Sequence, residues 1–221
     1  WRIVSLIRER VSEFRVLVPR SAFSAATLVA LGADRIYMHP YGNLGPVDPQ
    51  ISVPQRRPDG GEDRLQFGSE DLAAFLTYAK QSVGLSDQAH LLKVFERFIE
   101  SVGPVPIGIA ARGAQHSIAM GEQLLGTRRR TGKRPNKEQA RAIVETLNKK
   151  FFHHGYAVSR EEARGIGLPV ETDSSDLDSA LDELWADLER DLLLREPFNP
   201  LAVVKKNPNA GVLFGPIPIL N

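Results

Sequence analysis

Cysteine is absent from the 221 residues. That absence excludes a thiol nucleophile, a cysteine-ligated zinc site and a disulfide framework. Aromatic residues make up only 7% of the chain. The core must therefore be built from Leu, Ile, Val and Ala, and a hydrophobic content of 42% is ample for one. An excess of either charge is also missing: 28 basic residues face 27 acidic ones. Neither nucleic acid nor an anionic membrane surface is attracted by such a balance, and no nucleic-acid partner is expected. No apolar run approaches the roughly 20 residues needed to span a bilayer, and no signal peptide is visible. The chain opens on Trp1 without Met, inside a stretch with helical spacing. This predicts a missing upstream portion, in which a targeting or membrane segment would have to lie. The expectation for the chain itself is a cytoplasmic protein without a cofactor or metal.

What is present alternates helix and strand. Ile3, Leu6, Ile7 and Val11 fall on one helical face between Arg2 and Glu13. Phe14 to Val18 is a short β-rich run ended by Pro19. The small-residue stretch Ala22 to Ala33 reads as a buried helix, and Arg35 to Met38 as a second strand. This order predicts an α/β domain with a mostly parallel sheet flanked by helices. Tyr41 to Pro49 is a loop rich in Gly, Pro, Asn and Asp. Pro54 to Gly61 is polar and is expected to be flexible. Helices are predicted from Ser69, with Leu72, Phe75, Leu76, Ala79 and Val83 on one side, and over Gln88 to Val102. Two more are predicted over Ile107 to Leu125 and Lys137 to Phe152. A short one starts at Ser159, with Glu162 completing a capping box, and a long amphipathic one covers Asp176 to Leu194. Residues 1–195 are taken as the domain and 196–221 as a C-terminal arm, rich in Pro, Gly and Asn.

The chemistry concentrates in Val16-Leu17-Val18-Pro19-Arg20-Ser21-Ala22-Phe23-Ser24-Ala25-Ala26-Thr27. This segment runs from strand through turn into helix. A serine at such a junction sits near unpaired helix N–H groups and the positive end of the helix dipole. The N–H of Ala25 is placed to form half of an oxyanion hole. The competing reading of Ser24 is a plain N-cap. Ser21 is the rival nucleophile, expected to shape the turn.

Two blocks carry a family resemblance. The first runs from Ser24 through Gly32-Ala33-Asp34-Arg35-Ile36 to His39-Pro40-Tyr41-Gly42-Asn43-Leu44-Gly45-Pro46-Val47-Asp48-Pro49-Gln50. The second is His154-Gly155-Tyr156-Ala157-Val158-Ser159-Arg160-Glu161-Glu162-Ala163, ending in Gly167-Leu168-Pro169-Val170. Together they resemble the serine dehydrogenase proteinase family, which stands with the bacterial signal peptide peptidases in the ClpP/crotonase fold. The resemblance implies a spiral ClpP/crotonase-like fold and an ATP-independent serine peptidase. It implies Ser24 as nucleophile, Ala25 as oxyanion donor, and Gly45, Pro46 and Asp48 in a loop near a peptide or protein substrate. A homo-oligomer is implied on the same ground.

Two departures accompany it. The Gly-Gly turn that supplies the other oxyanion donor in such enzymes would lie before Trp1, and Ala25 and Ala26 stand where relatives often carry Gly.

The base is the open question. A histidine in the position used by Clp peptidases would fall near Val47 and Asp48, where none exists; His39 comes too early. Signal peptide peptidases use a lysine, and Lys80 is the only lysine between Ser24 and Lys93. A Ser-Lys dyad requires that Lys80 be desolvated by Leu76, Ala79 and Val83; the plain alternative is a solvated surface charge. Two further functions compete with the peptidase: a catalytically inactive scaffold of the same fold, and a crotonase-type acyl-CoA enzyme with carboxylate bases. His153 and His154 are adjacent and point apart on a helix, so they are not read as metal ligands; His90 and His116 are lone histidines without assigned chemistry. The basic stretch Arg128 to Lys137 reads as a solvated loop.

Overall fold

A computed structural model of the chain describes residues 1–57, 59–129, 134–150, 155–171, 175–192 and 194. The predicted C-terminal arm lies outside these residues, as do His153 and His154. The first half alternates α1 (Arg2–Arg10), β1 (Arg15–Val18), β2 (Ser21–Ala22), α2 (Ala25–Leu31), β3 (Arg35–Met38) and β4 (Asn43–Leu44). A hairpin follows, β5 (Ile51–Arg56) and β6 (Glu62–Phe67), and then α3 (Ser69–Gln81), α4 (Gln88–Val102) and α5 (Pro104–Leu125). The chain continues through α6 (Lys137–Glu145), a π-helical turn (Thr146–Lys150), α7 (Arg160–Gly165) and α8 (Ser175–Asp191).

The architecture is mixed α/β, as the alternation predicts. Its sheets are small. Among the described residues, β1 pairs in parallel with β3, from Arg15 opposite Arg35 to Val18 opposite Met38. Similarly β2 pairs in parallel with β4. Later segments extend both pairs by single bridges, Val170 beside Ile36 and Val158 beside Leu44. The third sheet departs from expectation. The polar stretch from Pro54 is not a loose loop but part of an antiparallel hairpin, with Pro54 opposite Arg64. A two-stranded ribbon has two free edges, so a proline lacking an N–H is tolerated there.

Helix ends follow the capping chemistry in the sequence. Ser159 Oγ accepts the Glu162 N–H at 3.2 Å, and Glu162 returns by accepting the Ser159 N–H at 2.9 Å. Helix α3 starts at Ser69, but Gly68 and not Ser69 is its N-cap, and the Gly68 N–H donates to the Asp71 carboxylate at 2.6 Å. Helix α5 begins earlier than predicted because Pro104 occupies its first position, where a missing N–H costs nothing.

The core gathers Val4, Val18, Leu31, Ile36, Leu44, Leu124, Val144 and Leu147 from nearly every element. Each such side chain contributes roughly 1.5–3 kcal/mol when fully buried. Helices α5 and α6 meet closely at Gly121, where a Cβ would stand 2.7 Å from a Val144 methyl. The predicted apolar stripe of α1 is not its buried face. Ile3 and Leu6 are exposed, while Val4 and Arg8 face inward. The rotation is explained by Arg8, whose guanidinium is buried against Asp34.

Asp34 is 1% exposed and sits at the corner between α2 and β3. Its carboxylate accepts hydrogen bonds from Arg8, from the Phe14 N–H at 2.8 Å and from the Arg129 N–H at 2.7 Å. Burial pushes its pKa up, but these donors and the Arg8 charge together hold the carboxyl well below the ordinary range. Arg128 is accordingly buried and not part of a solvated loop, while the exposed Arg129 is tied back to α1. Arg128 Nε donates to the Leu31 carbonyl at 3.2 Å, and Arg129 Nη2 donates to the Arg8 carbonyl at 2.9 Å. Burial, reinforced by Arg8 and opposed by Asp34, brings the Arg128 guanidinium down to about 10.

Asp34→Asn leaves buried guanidinium charge uncompensated and is expected to lower stability by about 3 kcal/mol in urea unfolding. The folded-state pKa is depressed, so the Asp34 contribution is complete above the ordinary carboxylate pKa. It is lost as pH falls below about 4. The urea midpoint of the native protein therefore drops on acidification, and Asp34→Asn flattens that drop.

Candidate active site

The segment between β2 and α2 is a tight elbow. Ser24 has φ 52° and ψ −111°, and is the one non-glycine residue with positive φ among the described residues. Glycine takes this conformation without steric cost, whereas an L-residue held there loses on the order of 1–3 kcal/mol. Although Ser24 occupies the N-cap position, its side chain caps nothing. Its Oγ makes no hydrogen bond among the described residues, and the residue is half-buried. The Ala25 N–H, next in the chain in an exposed residue, also lacks a backbone acceptor among the described residues. An unengaged hydroxyl and an unengaged amide thus stand together at the start of a helix, whose dipole favours negative charge.

Thr27 holds the elbow from beneath. It is fully buried, and its Oγ1 lies 2.6 Å from the Ala22 carbonyl and 2.8 Å from the Gly45 carbonyl. The Gly45 N–H donates to the Ala22 carbonyl at 2.9 Å. A Cβ on Gly45 would lie 2.0 Å from the Phe23 ring, so the loop approaches the residue before Ser24 as only glycine permits. The loop then crosses to two other elements. The Ser117 hydroxyl of α5 donates to the Val47 carbonyl at 2.5 Å, and the Val47 N–H donates to Leu147 in the π-helical turn at 3.1 Å.

Beyond the loop opens a groove of about 660 Å³. Its walls are the loop at Pro46 and Asp48, the first turns and one side of α3, and Asn148 and Lys149. Ser24 does not line it. The groove begins at Pro46, the residue after Gly45, so elbow and groove share one loop. Asp48 Oδ2 accepts from Gln50 Nε2 at 2.7 Å.

The structure therefore sets Gly45 against Ala22, Phe23 and Thr27 on either side of Ser24, leaves Ala25 next to Ser24 in the chain, and puts Pro46 and Asp48 on the groove. Lys80 is different. It is exposed on α3 and is not a lining residue. Of its expected shield, Ala79 is buried, while Val83 is itself 56% exposed. The desolvation that a lysine base needs is not provided by these surroundings. Lys149, which sequence reasoning passed over, does line the groove.

His39 is engaged elsewhere. It is buried, its Nδ1 accepts from the Tyr41 N–H at 3.1 Å, and Arg20 Nη1 lies 3.3 Å from the same nitrogen. Two donors on Nδ1 leave the ring proton on Nε2, which faces Asp182 of α8 at 3.2 Å. Arg20 reaches the other Asp182 oxygen at 3.0 Å. This cluster fastens α8 to the end of β3. Ser21 lies in β2 opposite Asn43, so it belongs to the strand pair and not to the elbow.

A hydroxyl on a strained strand-to-helix turn beside a free helix amide is the layout of a serine nucleophile. A family model of ClpP-like SDH-type serine proteinases matches residues 2–56. That segment runs from α1 to β5 and holds the elbow, Thr27 and the Gly45 loop. An uncharacterized protein of Methanocaldococcus jannaschii is 25% identical over 195 residues, which is 83% of this chain and 52% of that protein. The chain thus spans about half the length of this relative. No solved structure matches.

Thr27→Val keeps the shape but removes the hydroxyl from two carbonyls. It is expected to cost about 1–3 kcal/mol in urea unfolding and to slow reaction of Ser24 with a serine-directed probe. Gly45→Ala forces Phe23 aside, with an expected loss of about 1–3 kcal/mol in the same unfolding measurement.

Proposed function

We propose that this chain is a serine peptidase that cleaves peptide bonds through an acyl-enzyme on Ser24. The observation that carries the reading is the backbone of Ser24, held at φ 52° with its hydroxyl uncommitted. Backbone strain of this kind persists only where surrounding structure enforces it, and it clusters at reactive sites. In the proposed reaction Ser24 Oγ attacks the substrate carbonyl carbon and its proton passes to a base. The carbonyl oxygen becomes an oxyanion that accepts from the Ala25 N–H. The tetrahedral intermediate collapses, the leaving amine takes a proton, and water then hydrolyses the ester.

The proposal extends to the ClpP/crotonase-like fold, supported by the two parallel strand pairs around the elbow. It includes a homo-oligomer, supported by the solvent-facing Phe75, Leu92, Val105 and Ile109 on three successive helices. The proposed base is a lysine: Lys80 would serve only if a partner surface or a further segment covered its exposed side chain, and Lys149 on the groove is the second candidate. No helix among the described residues is long and apolar enough to cross a membrane.

A second reading, an inactive scaffold, is favoured by one observation: among the described residues no base is hydrogen-bonded to Ser24.

Incubation with a fluorophosphonate probe and mapping of the adduct by mass spectrometry separates the two. A label on Ser24 that Ser24→Ala abolishes is expected; absence of label on the folded protein supports the scaffold. Removing the true base should slow peptide hydrolysis by about 100-fold or more. Hydrolysis unchanged in Lys80→Ala excludes Lys80, and a loss confined to Lys149→Ala assigns the groove lysine instead.

A further inference from the structure

Helix α1 turns an uncovered face outward. Arg2, Leu6 and Arg10 stand four residues apart in one row along it, with Ile3 beside Leu6. Ile3 is 63% exposed and Leu6 50%. Arg2 and Arg10 are exposed and make no ion pair among the described residues. Glu9 is the one acidic residue of the helix.

Helix α8 has the opposite character. Its apolar stripe is seated on the body at Leu181, which is 2% exposed. Beyond that point the stripe continues into solvent as Leu184, Leu188 and Leu192, again four apart. Leu192 belongs to the same winding, since its N–H donates to the Leu188 carbonyl at 2.9 Å. An acid precedes each leucine, namely Glu183, Asp187 and Asp191, so a carboxylate row runs beside the leucine row. Arg190 is the only basic residue of the helix and lies against Asp187 and Asp191. Glu183 makes no ion pair among the described residues.

The two faces match in length and in charge. Arg2 and Arg10 are as far apart in sequence as Glu183 and Asp191, a rise of about 12 Å in either helix. Each face joins exposed apolar side chains to charges of the sign that the other lacks, and apolar patches rimmed by charge mark interaction surfaces. Neither face covers the other within one molecule, since both remain exposed.

We propose that α1 of one copy of this chain docks on α8 of a second copy. Ile3 and Leu6 meet the row of Leu184, Leu188 and Leu192, and Arg2 and Arg10 meet the carboxylate row. Related by a two-fold axis, two copies make this contact twice. The proposal rests on the homo-oligomer reading and gives it a face separate from the α3–α5 surface.

Sedimentation velocity of the full chain over a concentration series tests it, with two charge-reversed variants. One carries Arg2→Glu and Arg10→Glu, the other Glu183→Lys and Asp191→Lys. All four side chains are exposed, so the fold is left intact. The native chain is expected to self-associate, and each variant alone to associate at least about tenfold more weakly, because like charges then face each other. An equimolar mixture of the two variants sets reversed α1 against reversed α8 and native α1 against native α8, and is expected to regain native affinity. A native chain that stays monomeric overturns both this contact and the homo-oligomer. A monomer whose melting temperature falls on Leu188→Glu overturns them in favour of another segment of the same chain lying on the leucine row. An oligomer indifferent to both reversals overturns this contact alone and leaves the α3–α5 surface. Weakened association in each variant without recovery on mixing overturns the pairing of α1 with α8.

Discussion

The buried carboxylate of Asp34 organises the region on which everything else stands. Three parts of the chain that are distant in sequence send donors to it: Arg8 from α1, the Phe14 amide ahead of β1, and the Arg129 amide just after α5. Each of these groups, and Asp34 itself, would be costly to bury alone. Brought together at one carboxylate, they tie α1, β1, β3 and the end of α5 to one another. The helix leading to this corner is α2, so the far end of α2, where Ser24 sits, inherits a fixed position. A strained turn is tolerable only on such a foundation, because a loosely held helix would simply relax it.

From that foundation a chain of short contacts runs outward. Thr27 binds the elbow to Gly45, the loop beyond Gly45 is bound to α5 by Ser117 and to the π-helical turn by Val47, and the next residue in that turn is Asn148. The elbow and the groove are therefore parts of one hydrogen-bonded frame, although Ser24 does not line the groove. The π-helical turn matters here. Its wider winding interrupts the regular ladder that α6 would otherwise continue, and such interruptions often occur at functional positions.

Much of the fold was legible because local signals were strong. The strand Arg35–Met38, the helix Gln88–Val102 and the Ser159–Glu162 capping box all stand where turn residues, periodicity and caps put them. The errors have physical causes. In α1 the hydrophobic pattern pointed to Ile3 and Leu6, but a long-range ion pair with Asp34 outweighed it and turned Val4 and Arg8 inward. The hairpin at Pro54 was hidden because its composition resembles a loop and its pairing lies in backbone hydrogen bonds. In the site, Ser24 was marked by its place between strand and helix, and Gly45 by the family resemblance of its loop. Thr27 left one faint trace, a lone hydroxyl in the apolar run of α2. Asn148 left none, since its place on the wall of the groove is a property of three-dimensional packing alone.

The dihedral angles of Ser24 set stability against side-chain identity at a single position. A glycine would trace the same turn without steric conflict, so the backbone by itself calls for glycine at residue 24. Conformational preference therefore does not account for the serine there. The molecule tolerates a less comfortable residue and obtains a hydroxyl at the mouth of a helix. On this view residue 24 is the point where the sequence departs most clearly from what folding alone would choose.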